Sequence, residues 1–232
     1  PPARLLIRDL PALEDFRFAF RIGAALFQGP FITSREELRA HYGATHDIAV
    51  KKVLPSLDGH AKAFISRCPF VLIGSSDQQG NADVTPKGDK PGFVAILDDT
   101  TIAIPDRPGN NRLDTYENLI DNPAVGLLFV IPGMNETLRV NGLGRITADS
   151  GLRQRFAIDN RVPATVLVVE IRACYMHCAK AFMRSKLWAP ESWPPRDSMP
   201  TLGQILRDQV ALSESARQLD DGLDKAYAKS MW

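Results

Sequence analysis

A series of short strand patterns between residues 70 and 177 constrains the fold of this chain most strongly. The segments are rich in apolar and β-branched residues and are mostly linked by short polar turns. They read FVLIGSS, ADVTPK, FVAIL, TIAI, AVGLLFVI, TLRVNGLGRITA and TVLVVEIRACYMH. Their number and spacing predict about six strands in a closed or nearly closed antiparallel barrel, so the fold class is mainly β with flanking helices (α+β). The continuously apolar AVGLLFVI predicts a strand buried on both faces.

Helical patterns flank these strands. Capping boxes at Ser34–Glu37 and Thr201–Gln204 each open a helix, and Asp58 is placed to cap another. Neither a GxGxxG nor a Walker A motif occurs, which argues against the common nucleotide-binding α/β folds. We therefore predict an N-terminal helical segment (1–67) that packs on the barrel, the barrel itself (68–190) and a C-terminal helical extension (191–232).

Composition excludes several function classes. The net charge is +1, from 28 basic and 27 acidic residues, so no global field attracts nucleic acid or a membrane surface. Three cysteines without a CxxC pair argue against a disulfide scaffold and a structural metal, and fit a reducing cytoplasm. No apolar run approaches the roughly 20 residues of a membrane helix, and the first residues do not resemble a signal peptide. A cytoplasmic protein is the expectation.

The stretch from Asp83 to Arg112 carries the clearest site signal. This stretch contains two strand patterns, Phe93–Leu97 and Thr101–Ile104. If they pair as a hairpin, the polar segments on either side of them meet. Side-chain alternation puts Asp83, Thr85 and Lys87 on one strand face, and Pro86 marks an edge strand. The groups that could then surround one anion are Thr85, Lys87, Arg107, Asn110, Asn111 and Arg112. A solvated strand face is the alternative for this strand.

The loop PDRPGNNR strengthens the anion hypothesis. Asn110 or Asn111 is placed to cap a helix that begins near Arg112, and a helix N-terminus favours anions. Arginine adds bidentate donors that match phosphate oxygens. Taken alone, the loop is better explained as a capped helix that carries surface arginines, and it is Lys87 nearby that favours a phosphate.

Two downstream segments could contact a planar ligand. In ETLRVNGLG, Gly142 and Gly144 either relieve strand bending or let a flat ring approach. In HCAKAFMRSKLW, adjacent side chains point apart, which argues against a His–Cys nucleophile pair. Lys180 and Arg184 lie four residues apart on one helical face, where they could neutralise a substrate or an electron-rich ring, or simply face water.

Several motifs in order resemble the pyridoxamine 5′-phosphate oxidase-like superfamily. They are Cys68–Pro69–Phe70, GNADVTPKGDKPGFV, IPDRPGNNR, NPAVGLLF, ETLRVNG and HCAKAFMRSKLW, which together span roughly residues 30–190. The chain is most similar to an FMN-dependent bacterial group rather than to the authentic oxidases. The resemblance implies a six-stranded antiparallel split barrel and a homodimer with FMN at the subunit interface.

The resemblance also implies roles for individual residues. Thr85 and Lys87 match the strand near the FMN phosphate, and Arg107, Asn111 and Arg112 match the phosphate loop. Thr137 stands where the oxidases place a Gln against the isoalloxazine ring. Four residues match the segment that reaches the flavin from the partner subunit: Cys178, Lys180, Arg184 and Trp188. Ala82 replaces an arginine of the oxidases, and their C-terminal Trp and Arg signature is missing, which argues against pyridoxamine phosphate oxidation.

The expected function is that of an FMN-dependent oxidoreductase that transfers hydride through flavin N5, with NAD(P)H or a small molecule as the reaction partner. Lys180 and Arg184 are the expected catalytic residues. Two alternatives stay open at this point. One is a non-catalytic flavin-binding or flavin-carrying protein, and the other is a split barrel that holds haem, deazaflavin or pyridoxal phosphate.

Overall fold

A computed structural model describes residues 6–7, 26–27, 32 and 34–231. The chain divides into two compact units, Pro1–Lys51 and Lys52–Trp232. The predicted three-segment division stays a prediction. Helix α3, which lies before its first boundary, adds buried residues to the core of the second unit.

The first unit is only partly helical. Leu6–Ile7 (β1) and Leu26–Phe27 (β2) pair as a short parallel ladder, so the prediction of helix is wrong at those four residues. The rest of the predicted helix before residue 32 lies outside the described residues. Helix α1 (Arg35–Tyr42) has the predicted capping box at Ser34, and α2 (Asp47–Lys51) follows.

An antiparallel sheet forms the second unit. Its strands are β3 (Phe70–Ser76), β4 (Ala82–Gly88), β5 (Ala95–Asp98), β6 (Thr101–Pro105), β7 (Ala124–Val130), β8 (Thr137–Thr147) and β9 (Val166–His177). Their order is β4-β3-β7-β8-β9-β6-β5, and each neighbouring pair is antiparallel. The predicted fold class is confirmed. The sheet has seven strands, one for each strand pattern in the sequence, and thus one more than the six expected of the barrel.

Side chains connect the two ends of this open sheet. Within the described ladder, β4 and β5 are the edges, as Pro86 in β4 predicted. Lys87 Nζ lies 2.8 Å from an Asp106 carboxylate oxygen, and Arg107 Nε lies 2.6 Å from an Asp89 carboxylate oxygen. These two ion pairs join the end of β4 to the residues that follow β6, so the split in the barrel is bridged by charge.

The main core lies on the inner face of the sheet. Helix α3 (Gly59–Ile65) begins at Asp58, whose carboxylate accepts from the Ala61 N–H at 2.8 Å as predicted. Phe64 and Ile65 of this helix are buried in the core. Helix α4 (Asp114–Asp121) adds Leu119. Burial of such apolar side chains supplies about 1.5–3 kcal/mol each.

The outer face is covered only in part. Around α5 (Ser150–Gln154), Leu152 and Phe156 pack against Ala103 and Val166 in a second, smaller cluster. Strand β7 was expected to be buried on both faces, and this is wrong: Leu127 is in the core but Leu128 is only half-buried. The physical reason is that no described element fully covers the outer side of this part of the sheet.

A bulge in β9 decides which of its side chains point outward. Asn141 pairs with Ala173 and Gly142 with Ile171, which leaves Arg172 as an extra residue. Ile171 and Cys174 consequently both reach the core although they are three residues apart. Because the alternation restarts after the bulge, Tyr175 shares the outer face with its partner Arg139.

The C-terminal segments are helical, as predicted. Helix α6 (Lys180–Ser185) is followed by two 3₁₀ turns, α7 (Leu202–Val210) and α8 (Ala216–Ser230). The capping box of Thr201 with Gln204 is present. In the part of the chain that the structure describes, no helix is long and apolar enough to cross a membrane.

The glycines of β8 serve packing within the chain. A Cβ on Gly142 would lie 2.2 Å from the Glu170 carbonyl oxygen, and one on Gly144 would lie 3.1 Å from Leu167. The idea that these glycines admit a flat ligand is therefore wrong, because the space beside them is filled by the chain itself.

We predict that Gly142→Ala destabilises the protein by about 1–3 kcal/mol, as expected for overpacking against a backbone atom that cannot move freely. Gly74→Ala is the matched control, because its added Cβ would have no described neighbour nearer than 3.8 Å. Urea unfolding of the two variants measures the difference. Equal stabilities would contradict the close approach at Gly142.

Candidate functional site

Strand β4 presents its predicted polar stripe to helix α4. Asp83, Thr85 and Lys87 are half-buried, whereas the intervening Val84 is exposed. The Thr115 hydroxyl of α4 donates to the Asp83 carboxylate. The predicted hairpin of β5 and β6 is present, and so is the predicted alternation along β4. The stripe contacts the first turn of helix α4 through Asp83.

The N-terminus of α4 has no side-chain cap. The helix begins at Asp114, and its N-cap residue Leu113 offers no hydrogen-bonding side chain. The prediction that Asn110 or Asn111 caps the helix is wrong. The Asn110 side chain instead accepts from the Arg112 N–H at 3.0 Å in a local turn, and Asn111 adopts a left-handed conformation (φ 58°). Uncapped amides at a helix start attract anions.

Arg112 stands beside this uncapped turn. Its side chain is 75% exposed, and its Nε donates to the Asp114 carboxylate. The guanidinium is therefore open to solvent and engaged on one side by an acid of the same chain. An exposed pair of this kind contributes little to stability and exchanges partners readily.

Lys87 belongs to a more buried group. Its ammonium contacts Asp106 and lies 5.3 Å above the centre of the Tyr116 ring. The Tyr116 hydroxyl donates to the same carboxylate at 2.9 Å. Burial raises the pKa of Tyr116, so its phenol remains a donor at neutral pH. Helix α4 thus contacts both ends of the stripe, through Thr115 and through Tyr116.

Arg107 turns toward the loop that follows α5. It donates to Asp89 at 2.6 Å and to the Phe156 carbonyl at 2.8 Å. Arg112, by contrast, is directed to the start of α4. The structure therefore brings Asp83 and Lys87 of the stripe together with the first turn of α4, with Thr85 between them on the same strand face, and it engages Arg107 in a bridge between the end of β4 and a neighbouring loop.

The acids that pair with these cations were not predicted. Asp106, Asp89 and Asp114 each hold one cation of the predicted site. A local signal was present only for Asp114, which follows its partner Arg112 by two residues in RLD. Chemically, the arrangement can bind an anion if that anion replaces a carboxylate as the partner of a cation.

The segments assigned to a flavin ring occupy the far end of β8 and β9. Thr137 is buried and pairs with His177 across the strands. The Trp188 Nε1 donates to the Met134 carbonyl at 2.8 Å, and its ring stacks on Phe182. Lys180 and Arg184 are both exposed on α6.

The three cysteines differ in exposure and in the direction in which their pKa is shifted. Cys178 is exposed, and the Lys180 backbone N–H lowers its pKa. Cys68 and Cys174 are buried; burial raises the pKa of both thiols, that of Cys174 to about 11. The thiolate that can react at neutral pH is therefore that of Cys178.

The solved structures similar to this chain are distant. HupZ of Group A Streptococcus is 17% identical; the match covers 50% of this chain and 89% of that one, with a TM-score of 0.40. An FMN-binding protein from Syntrophomonas wolfei is 11% identical over 62% of this chain and 96% of its own, with a TM-score of 0.40. A protein from Clostridium acetobutylicum related to general stress protein 26 is 13% identical over 51% and 85%, also at 0.40. Scores this low carry no argument about function.

No curated protein matches the sequence significantly. The family model described as Pyridoxamine 5′-phosphate oxidase matches residues 57–178, which is more than half of the chain. The match runs from the residue before the Asp58 cap to Cys178, so it includes the whole sheet, the β4 stripe and the α4 turn. The chain belongs to the pyridoxamine 5′-phosphate oxidase family.

Proposed function

We propose that the protein binds FMN and works as an FMN-dependent oxidoreductase. The observation that carries the proposal is the uncapped first turn of α4, with Arg112 beside it and the β4 stripe that carries Thr85 in contact with it through Asp83 and Lys87. Backbone amides, a hydroxyl and two cations are donors suited to a phosphate. Family membership supports a flavin as the molecule that carries this phosphate.

The donor set fits a phosphate, with one condition. Arg112 and Lys87 each have a carboxylate partner, Asp114 and Asp106. The exposed Arg112 pair can open at small cost, whereas the Lys87 pair is half-buried and also holds Tyr116. We therefore assign the main phosphate contact to Arg112 and the α4 amides, with Asn111 in the same loop and Lys87 as a second positive charge nearby. Arg107 would act by holding the loop that carries them.

The remaining assigned residues would surround the ring in a dimer. The half-buried outer face of β3 and β7, which includes Leu72 and Leu128, supports a second subunit there. In that arrangement, Thr137 and the partner's α6 segment would flank the flavin. Lys180 and Arg184 would balance charge on the ring or orient a substrate, and Cys178 and Trp188 would limit access of water. The bound flavin would supply hydride transfer at N5.

The test of function begins with the visible spectrum of freshly purified protein and identification of any chromophore released on denaturation. FMN, or binding of added FMN, is expected. Anaerobic bleaching by NADH or NADPH would support an enzyme, and an unreactive bound flavin would favour the non-catalytic carrier. The proposal is wrong if the protein neither contains nor binds FMN, or if it releases a different cofactor.

Arg112→Gln should weaken FMN binding about tenfold or more, because a charged partner of the phosphate is lost. Riboflavin, which has no phosphate, should bind both proteins equally. Fluorescence titration measures both ligands, and Arg217→Gln on helix α8 is the matched control. An equal loss for riboflavin would show that Arg112 does not contact the phosphate.

Asp114→Asn should tighten FMN binding several-fold, since it removes the carboxylate that engages Arg112. Asp121→Asn at the other end of α4 should leave the affinity unchanged. The same titration applies. Weaker binding in Asp114→Asn would contradict competition and would make Asp114 a residue that positions Arg112.

Cys178 should be alkylated by iodoacetamide in the native protein at pH 7.5, while Cys68 and Cys174 react only after denaturation. Saturating FMN should slow the Cys178 reaction several-fold if this segment lies against the flavin. Mass spectrometry of tryptic peptides follows each site, with Cys178→Ser as the control. An FMN-independent rate would argue against placing the segment at the cofactor.

A further inference from the structure

A second cavity lies away from the β4–α4 site. It has a volume of about 340 Å³ and opens between the segment before α3 and the end of β9. Its apolar lining comes from Leu54, Ala61, Leu138 and Met176, with the Tyr175 ring beside them. This volume falls at the small end of the range for ligand sites. None of the residues assigned to FMN lines it.

Lys52 gives this cavity a positive charge. Its Nζ donates to the Met176 carbonyl at 2.6 Å and lies 5.5 Å from the centre of the Tyr175 ring. Among the described residues no carboxylate forms an ion pair with Lys52. Asp58 also lines the cavity, but its carboxylate accepts from the Ala61 N–H as the α3 cap. An ammonium satisfied by one carbonyl retains two donors for a ligand.

Arg139 holds the Tyr175 ring at the edge of the cavity. Its guanidinium donates to the Tyr175 hydroxyl at 3.1 Å and lies 5.7 Å from the centre of the ring. The ring is thus fixed beside Lys52 and the apolar lining.

We propose that this cavity binds a small aromatic carboxylate. The ring would lie between Tyr175 and the apolar lining, where stacking and sulfur contacts favour an aromatic body. The carboxylate would pair with Lys52, whose ammonium keeps two donors for it. The site does not depend on the proposed FMN function, because it shares no residue with the phosphate donors.

The experiment uses 2-naphthoate as the probe and the protein as purified. Calorimetry measures affinity, and ¹H–¹³C spectra follow the four histidines, His41, His46, His60 and His177. Naphthoate should shift His60, which lines the cavity, saturably, and should leave His41 and His46 unchanged. The neutral 2-naphthamide should bind about tenfold more weakly, because it lacks the charge-assisted contact.

Variants separate the proposed contacts. Lys52→Met should weaken naphthoate about tenfold, whereas Lys90→Met, on the loop after β4, should not. Arg112→Gln, expected to weaken FMN binding, should keep full naphthoate affinity, so failure of one site is distinguishable from failure of the other.

Three results would overturn the inference. The first is absence of naphthoate binding to a folded protein. The second is equal affinity for naphthoate and naphthamide, or unchanged affinity in Lys52→Met. The third is a uniform shift of all four histidines, which would indicate a general effect of the anion rather than a site.

Discussion

The architecture depends on two ion pairs that span the opening of the sheet. Along the end of β4 the charges are positive at Lys87 and negative at Asp89, and along the residues after β6 they are negative at Asp106 and positive at Arg107. The reversed order makes the two segments complementary in one register. Each pair is half-buried, so the loss of one member would leave an uncompensated charge in a poorly solvated place. Backbone hydrogen bonds hold the strands together, but charge holds the ends of the sheet together.

Helix α4 is attached to the same charges. Tyr116 donates to Asp106, and Thr115 donates to Asp83 at the other end of the stripe. The helix therefore cannot move without disturbing the bridge across the split, which fixes the position of its uncapped N-terminus. The contacts that bridge the split in the barrel therefore also hold the N-terminus of α4 in place, so an anion that binds there would meet a rigid site. Acids of the chain itself are the partners of these cations.

Local signals in the sequence predicted local structure well. The capping residues Ser34, Asp58 and Thr201 act within one helical turn, and Pro86 correctly marked an edge strand, because such effects need no knowledge of the rest of the chain. The prediction of a helix cap at Asn110 is wrong, because the Asn110 side chain instead accepts a hydrogen bond from the Arg112 N–H two residues away. The carboxylate partners of Lys87 and Arg107 lie about twenty residues distant in sequence, and only the closed shape of the sheet brings them near. Half-burial of β7 could not be predicted, because an apolar run does not reveal whether its second face is covered by the same chain.

The bulge at Arg172 has a consequence for how this protein can change. Beyond that point β9 carries two complete sets of side chains, Cys174 with Met176 inward and Tyr175 with His177 outward. Deleting a single residue from the bulge would exchange the sets, placing a phenol and an imidazole in the core and a thiol and a thioether on the surface. A deletion of one residue would thus change which functional groups the outer face of β9 carries, although no neighbouring side chain is substituted. Insertions and deletions in this strand are therefore a more powerful source of new surfaces in this fold than substitutions are.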